Sequence, residues 1–444
     1  MAIVWFQTGK HNGRHQRQSV LIDYISILVM AQWPTYGFPN RQCAPNRDAR
    51  PMPSSERSFD LNLGEEKEFF RETIRRLTQD KLAPMVEHLE KTDEFPREAA
   101  ELFGEMGLLQ LWIPEEYGGP GGDLTTVCVA KEEIARGSSL ALSTLCANNS
   151  VGLILPLLHF GTEAQKQRYL TEAAKGKTIA AVAMTEPQAG SDVASMRTTA
   201  RKDGDSYVIN GQKNWITWGA DANYTLVFAR TSGERGHDGI SAFLVDTKTP
   251  GYHVGRKEEK LGRHGAPTCG LFFEDMRVEA DCMIGEEGKG FKACMRIMDL
   301  NRPTVAASAL GMAQSALDLS VNYARERVQF GKPIADLQAI QFKLANMAMH
   351  VEASRALLYS SVGEIDSGDL SRLPYLASTC KCFISDVAMD AALEAVQILG
   401  SYGYSKEYPA ERLMRDAKLN QILEGTNEIH HIIVARRLLQ AAAQ

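Results

Sequence analysis

The sequence predicts an α+β multidomain protein. An N-terminal α-helical domain spans 59–178, a middle antiparallel β-domain 179–287 and a C-terminal domain of four-helix-bundle type 288–444. Three observations predict it. Apolar residues recur at helical spacing up to about residue 177 and again from 290 onward. Between them lie short apolar runs separated by turn residues, with no helix of any length intervening, which excludes a doubly wound sheet. The last third holds long runs such as Leu337–Asp366 and Leu373–Leu399, rich in Ala, Leu and Met, which bury their inner faces only against one another.

Residues 1–58 read as an extension foreign to the rest of the chain and are expected to be poorly ordered. Their apolar run Ser19–Trp33 carries Asp23 and is short for a bilayer. Lys10, Arg14 and Arg17 upstream of it suit a targeting segment, but no small-residue cleavage site comes after it. Helices are expected over Glu65–Glu90, from about Pro96 to Met106, and over Leu124–Arg136, Leu140–His159 and Glu163–Ala174. The loop EEYGGPGGD between them is a turn cluster, since it lacks the GxGxxG spacing of a phosphate cradle. Ile179–Met184 reads as a buried strand, leading into the polar loop TEPQAGSD. Asn210–Gly211 signals a hairpin between Tyr207–Asn210 and Gln212–Trp218. Further strands are expected at Tyr224–Ala229, Ile240–Asp246, Tyr252–Val254 and Leu271–Val278. The helical period returns in Phe291–Met298, Arg302–Arg327, the two long runs above and Glu428–Ala442.

Hydrophobic residues make up 44% and charged ones 23%, an ordinary globular composition. The net charge of −6, with no block of Lys or Arg, argues against nucleic-acid binding through a basic face. The eight cysteines are scattered and form no CxxC, which reads as reduced thiols and not a zinc site. His430 and His431 are adjacent and diverge by about 100° on a helix, so no metal site is expected.

The stretch with most chemical content is Gln421–His431, QILEGTNEIHH. It sets a carboxylate, Glu424, beside apolar residues, a glycine and the start of a helix capped by Thr426 or Asn427. Burial there raises a carboxylate pKa toward the range of a general base.

This stretch, with AMTEPQAGSDVASMRT (183–198), INGQKNWIT (209–217), LGRHGAPTCGLFFEDMRV (261–278), RERVQFGKPIADLQAIQ (325–341) and AVQILGSYGY (395–404) in the same order, resembles the acyl-CoA dehydrogenase family. The resemblance covers residue 60 to the end. It implies FAD-dependent α,β-desaturation of an acyl-CoA thioester in fatty acyl oxidation, with electrons passed to an electron-transfer flavoprotein. It also implies a homotetramer built as a dimer of dimers, no membrane and no nucleic acid. A cytoplasmic location is expected, with the mitochondrial matrix as the other reading. Rival readings are a flavin oxidase or monooxygenase on the same scaffold, or a non-catalytic nucleic-acid-associated relative.

By the same resemblance Glu424 is the base, and its N–H is half of the hole for the thioester oxygen. Some branches place the base just before the arginine of the first long C-terminal helix. Here that position is Asn301, which takes no proton. Met184, Thr185, Ser191, Trp215, Ile216 and Thr217 correspond to residues around the flavin ring and its phosphate. Arg327, Gln338, Gln397, Gly400 and Ser401 correspond to segments that reach the FAD pyrophosphate and adenosine of a neighbouring subunit. Thr426 and Glu428 correspond to further FAD contacts. Ser191, Asp299, Arg302 and Gly425 are expected on the substrate. Gln188 stands where glycine is common, and Leu423 where some relatives carry an aromatic, which leaves the acyl chain undefined.

Overall fold

The computed structural model describes residues 63–233 and 236–442; the extension over 1–58 lies outside them. Three acidic residues fill the first turn of α1 (Glu65–Leu77) and two arginines its last, as the helix dipole favours. The expected continuous helix to Glu90 is interrupted. Pro84 has no N–H to give, and the chain passes through a π turn and a 3₁₀ turn before α2 (Val86–Thr92). After α3 (Arg97–Glu105), α4 (Leu124–Gly137) starts at Asp123, whose Oδ1 accepts the Thr126 N–H at 2.8 Å.

A second expectation, one helix over Leu140–His159, is also corrected. The chain forms α5 (Leu140–Leu145), a break, and then a π turn and α6 (Leu155–Phe160). Asn148 and Asn149 cause the break. Their side chains leave the helix to donate to the Ala180 and Thr178 carbonyls at 2.9 and 2.8 Å, docking the first strand. Leu140–Phe160 is apolar enough for a membrane by length and composition, and 89% of its most apolar window is buried in the protein. Helix α7 (Glu163–Ala173) opens with a Thr162/Gln165 capping box.

The middle sheet has eight strands: β1 (Ala180–Ala183), β2 (Thr199–Asp203), β3 (Ser206–Thr217), β4 (Tyr224–Arg230), β5 (Ile240–Asp246), β6 (Tyr252–Lys257), β7 (Thr268–Glu279) and β8 (Met283–Ile284). Their order is β6-β7-β3-β2-β4-β5-β8, with β1 paired to β4. It is antiparallel except where β4 meets β1 and β2. The hairpin expected at Asn210–Gly211 is not one. β3 runs straight through it, and the turn lies at Gly204–Asp205 between β2 and β3. Asn210 instead pairs with Asp275, donating to its carboxylate at 3.0 Å. Gly211 is glycine for closeness, because a Cβ there would lie 2.5 Å from Thr198 Oγ1.

The C-terminal region begins with α8 (Gly290–Glu326), one unbroken helix where two were expected. Pro303 sits inside it, tolerated because flanking residues such as Ile297, Ala306 and Leu310 are fully packed. A two-stranded ribbon, β9 (Val328–Gln329) and β10 (Lys332–Pro333), leads to α9 (Gln338–Asp366) and α10 (Leu373–Leu399). Helix α11 (Ala410–Asn420) was not anticipated; α12 (Asn427–Ala442) completes the set. α8 and α10 form the centre, with α9, α11 and α12 around them, and α4 of the N-terminal region packs on the outer side of α8. One core joins that bundle to α4, and two more bury the two faces of the sheet.

Candidate active site

Glu424 lies in the turn between α11 and α12, with a left-handed backbone (φ 54°) followed by Gly425 at φ 99°. A non-glycine residue held left-handed is strained, and such strain persists only where surrounding contacts fix it. Here they do. Lys381 of α10 donates to the Gly425 carbonyl at 2.7 Å and to Asn427 Oδ1 at 2.9 Å. Asn427 in turn donates to Asp386 at 2.7 Å and to Ser385 at 2.9 Å. From α8, Arg302 Nε donates to the Glu424 carbonyl at 3.1 Å, and its guanidinium is paired with Asp299. His430 is fully buried behind the turn, and a Cβ on Gly425 would lie 3.1 Å from its Nε2. Burial first, then Arg302 and Lys381, push the His430 pKa down to about 3, so the ring is neutral.

The Glu424 carboxyl is held at one oxygen and open at the other. Asn301 Nδ2 donates to Oε1 at 2.7 Å. Oε2 is buried and has no hydrogen-bond partner among the described residues. Burial raises the pKa of this carboxyl, against the pull of Arg302, Lys131, the Asn301 bond and Lys381. Asp299, Arg302, Asn301, Glu424 and Gly425 are thus brought together. Beside Asp299 and Arg302 a cavity of about 320 Å³ is lined also by Met295, Pro374 and Arg436 and Arg437 of α12.

The residues expected around the flavin ring gather on the sheet. Met184 and Thr185 follow β1, and Trp215, Ile216 and Thr217 end β3. The β3–β7 register shifts between Lys213 and Ile216, and Trp215 sits there at φ 62° with 56% of its surface exposed. Ile216 is buried, and the Thr217 and Thr268 hydroxyls meet at 3.5 Å. The loop after β1 is stapled by Glu186. That carboxylate accepts from the N–H groups of Arg197 (2.6 Å) and Thr198 (3.0 Å), from Lys213 Nζ (2.8 Å) and from the Gln188 amide (2.7 Å). Lys213 also donates to the Met184 carbonyl at 3.1 Å. The Met184 sulfur lies 3.6 Å from Cys294 Sγ on α8, which ties this loop to the helix bearing Asn301 and Arg302. Ser191 is on the exposed part of the loop.

Arg327, Gln338, Gln397, Gly400 and Ser401 form a separate group where the ends of α8 and α10 meet the start of α9. All five are exposed. Along α8 the 25 residues from Arg302 to Arg327 span about 38 Å at the helical rise. Arg327 lies over the Tyr402 ring at 5.7 Å. Thr426 and Glu428 stay with the Glu424 turn, the Glu428 backbone N–H first and the Thr426 hydroxyl second holding the exposed Glu428 carboxylate below its usual pKa.

Sequence reasoning missed Lys381, Lys131, Lys213 with Glu186, and His430, and it saw Asn301 only as a lost base. A signal existed for the lysines. Lys381 lies between Cys380 and Cys382 in the apolar first half of its helix and Lys213 in a strand of alternating pattern, and both are fully buried.

Family models match along the chain in order: "Acyl-CoA dehydrogenase, N-terminal domain" at 64–177, the middle domain at 181–276 and the C-terminal domain at 288–439. An acyl-CoA dehydrogenase of Bacillus subtilis is 44% identical over 379 residues, 85% of this chain and 99% of the relative. The structure of butyryl-CoA dehydrogenase from Megasphaera elsdenii superposes with a TM-score of 0.81 at 41% identity, covering 86% of this chain and all of that one. A chain from a structure described as the electron transferring flavoprotein of Acidaminococcus fermentans gives 0.82 at 42%, with 86% and 100% covered.

Proposed function

The chain belongs to the acyl-CoA dehydrogenase family, and from that premise we propose that it desaturates an acyl-CoA thioester between the α- and β-carbons with Glu424 as the base. The observation that supports this most is the asymmetric carboxyl, raised in pKa, with one oxygen held by Asn301 and the other buried and without a partner among the described residues.

The residues present fit FAD. The bulge at Trp215 turns a large indole outward between buried Lys213 and Ile216, beside the stapled loop of Met184 and Thr185, which gives a flat ligand one wall and a fixed polar edge. Met184, Thr185, Trp215, Ile216 and Thr217 would hold its ring, with Ser191 and Thr426 toward its phosphates and Glu428 as a further contact away from them. When bound, FAD supplies the acceptor for the hydride that leaves the β-carbon.

The chain's own residues do the rest. Glu424 Oε2 takes the proton from the α-carbon, while Asn301 keeps the carboxyl plane from rotating. As charge moves onto the thioester oxygen, the Glu424 N–H, which makes no backbone hydrogen bond among the described residues, donates to it. Arg302 and Lys381 hold the carbonyls of Glu424 and Gly425, so that N–H keeps one direction. Gly425 leaves room for the thioester to lie against the backbone. Arg302, Asp299 and the cavity they line would receive the CoA side of the ligand. We assign electron transfer to an electron-transfer flavoprotein, and a dimer of dimers in which Arg327, Gln338, Gln397, Gly400 and Ser401 complete a neighbour's FAD site.

Anaerobic addition of a saturated acyl-CoA to the purified yellow protein is expected to bleach the flavin and release a 2-enoyl-CoA. A flavin that stays oxidised with straight, branched and carboxyl-bearing chains alike would overturn the reading.

A further inference from the structure

Lys131 stands on α4, immediately before two carboxylates that look elsewhere. Glu132 accepts from Arg355 and Tyr359 of α9, and Glu133 accepts from Arg75 of α1 at 2.9 Å. Lys131 joins neither. Only 6% of it is exposed, among Val127, Cys128, Ala130 and Ile134, which are all fully buried. Its ammonium has three donors, and among the described residues they find one acceptor, the Cys146 carbonyl at 3.3 Å. A carbonyl carries no charge, and a glutamine would serve it as well.

Among the described residues Arg263 is also buried without a bonded carboxylate, its guanidinium lying over the Trp218 ring at 5.9 Å. It is 9% exposed, its Nε has no partner among the described residues, and no carboxylate forms an ion pair with it there. Its backbone N–H, not its guanidinium, bonds Asp416 at 2.5 Å. The two cations repel each other and are both attracted by Glu424, so they share its surroundings. Of the acids near the four buried cations Lys131, Arg263, Arg302 and Lys381, Asp299 is taken by Arg302, Asp93 by Lys260, and Asp386 accepts from Asn427 and Gln421, so among the described residues no carboxylate is bonded to the charged groups of Lys131 and Arg263. Burial pushes the pKa of Asp416 and Glu424 upward and those of Lys131 and Arg263 downward, so the charged form of each group is costly there.

A buried cation without a counter-ion is costly, and a ligand that carries the anion removes the cost. The thioester must bring its α-carbon to Glu424, so the alkyl chain beyond it lies in the surroundings these cations share. We propose that Lys131, supported by Arg263, is a subsite for a carboxylate at the far end of the acyl chain, and that the preferred substrates are dicarboxylyl-CoA thioesters. This rests on the desaturase reading for the reaction but not for the binding.

The test uses the holoenzyme with paired thioesters of equal length, with and without a terminal carboxylate (succinyl against butyryl, glutaryl against pentanoyl, adipyl against hexanoyl). The first readout is kcat/KM. The second is binding of redox-inert 3-thia analogues of the glutaryl and adipyl pairs, followed by the shift they cause in the flavin spectrum. The wild type is expected to favour one carboxylated member. Lys131→Met should cut the carboxylated-to-plain ratio about 10- to 100-fold in both readouts, as loss of a bond to a charged group does. Lys131→Arg should restore most of it. A plain chain preferred throughout, or an equal fall on both members of each pair, would overturn the subsite while leaving the desaturase reading intact. If no thioester is turned over but the analogues still show the preference and Lys131→Met removes it, the subsite stands and the desaturase reading fails.

Discussion

Two regions of this chain bear on one proposed cofactor, and they are built in opposite ways. Around Glu424 the polar groups are buried and the turn is fixed by bonds within the chain, Arg302 with Asp299 and Lys381 with Gly425 and Asn427, while Glu424 Oε2 and the Arg263 Nε have no partner among the described residues. About 38 Å along α8, the group at Arg327, Gln338, Gln397 and Ser401 is exposed and surrounded by exposed apolar side chains. Phe330 is 91% exposed there, Tyr404 82% and Phe342 61%. A region whose bonds close internally can position a reacting carboxyl in a single chain. One that leaves polar and aromatic groups unpaired reads as half of a site.

The comparison breaks most sharply at Glu424. Replacing Glu424 by Gln keeps shape and hydrogen bonding but removes the proton acceptor, so flavin bleaching by acyl-CoA should slow about a thousandfold, with FAD content unchanged. Rapid-mixing anaerobic spectra measure it; a rate within tenfold of wild type would remove the base assignment. Stability should move the other way. The folded pKa of Glu424 is raised, so its contribution is fully present below the unfolded value and is lost as pH rises through the folded value. At neutral pH the Gln variant should be the more stable protein by thermal melt.

Next is the pair that staples the flavin loop. Lys213 and Glu186 are 0% and 2% exposed at their side chains. Burial works to raise the Glu186 pKa, but Lys213, Thr198 and the Arg197 N–H outweigh it and hold it at about 2. Lys213→Met strands that carboxylate and should cost about 3 kcal/mol in chemical denaturation. Adding Glu186→Leu should return most of it. With the sign set by the lowered pKa, wild-type stability from Glu186 is present above the usual carboxylate range and lost as pH falls toward 2.

These two regions were unequally legible in the sequence. Glu424 and Gly425 lie in one short motif, so the resemblance carried them directly. The groups that set the carboxyl's properties do not: Asn301 and Lys381 reach it from other helices, and only the packing of α8, α10 and α12 brings them there. A lysine within an apolar helix looks like one that extends its charge to solvent. Local rules also failed where tertiary contacts overrode them. Asn210–Gly211 has turn composition, yet the approach of Thr198 and the bond to Asp275 keep it in a strand. Pro303 and Asn148–Asn149 show the reverse pair of errors, a break expected inside one helix and none expected inside another.

The exposed region should respond less and in a different variable. Arg327→Ala removes one cation near the Tyr402 ring and should raise the FAD dissociation constant about tenfold, as one exposed charge-assisted contact does. Residual bleaching of the FAD-loaded fraction should be normal. Fluorescence of released FAD at several protein concentrations reads it. An unchanged constant would mean that this end of the bundle makes no contribution to the cofactor.

The smallest effect separates what Asn301 does from what Glu424 does. The reaction needs the carboxylate, so its rate falls as pH drops through the folded pKa of Glu424, which burial places above the usual carboxylate value. The Asn301 amide donates to Oε1, and a donor favours the ionised form. Losing it in Asn301→Ala should therefore move the acid limb of the bleaching rate to higher pH by about half a unit to one unit, worth about 1 kcal/mol. The rate on the alkaline plateau should fall much less than in the Gln variant, because the base remains. A substitution that lowers the plateau and leaves the limb in place would mean that Asn301 only packs against the carboxyl. A limb that moves to lower pH would mean that the amide faces Glu424 with its oxygen and favours the protonated form, which would reverse the electrostatic account of the site.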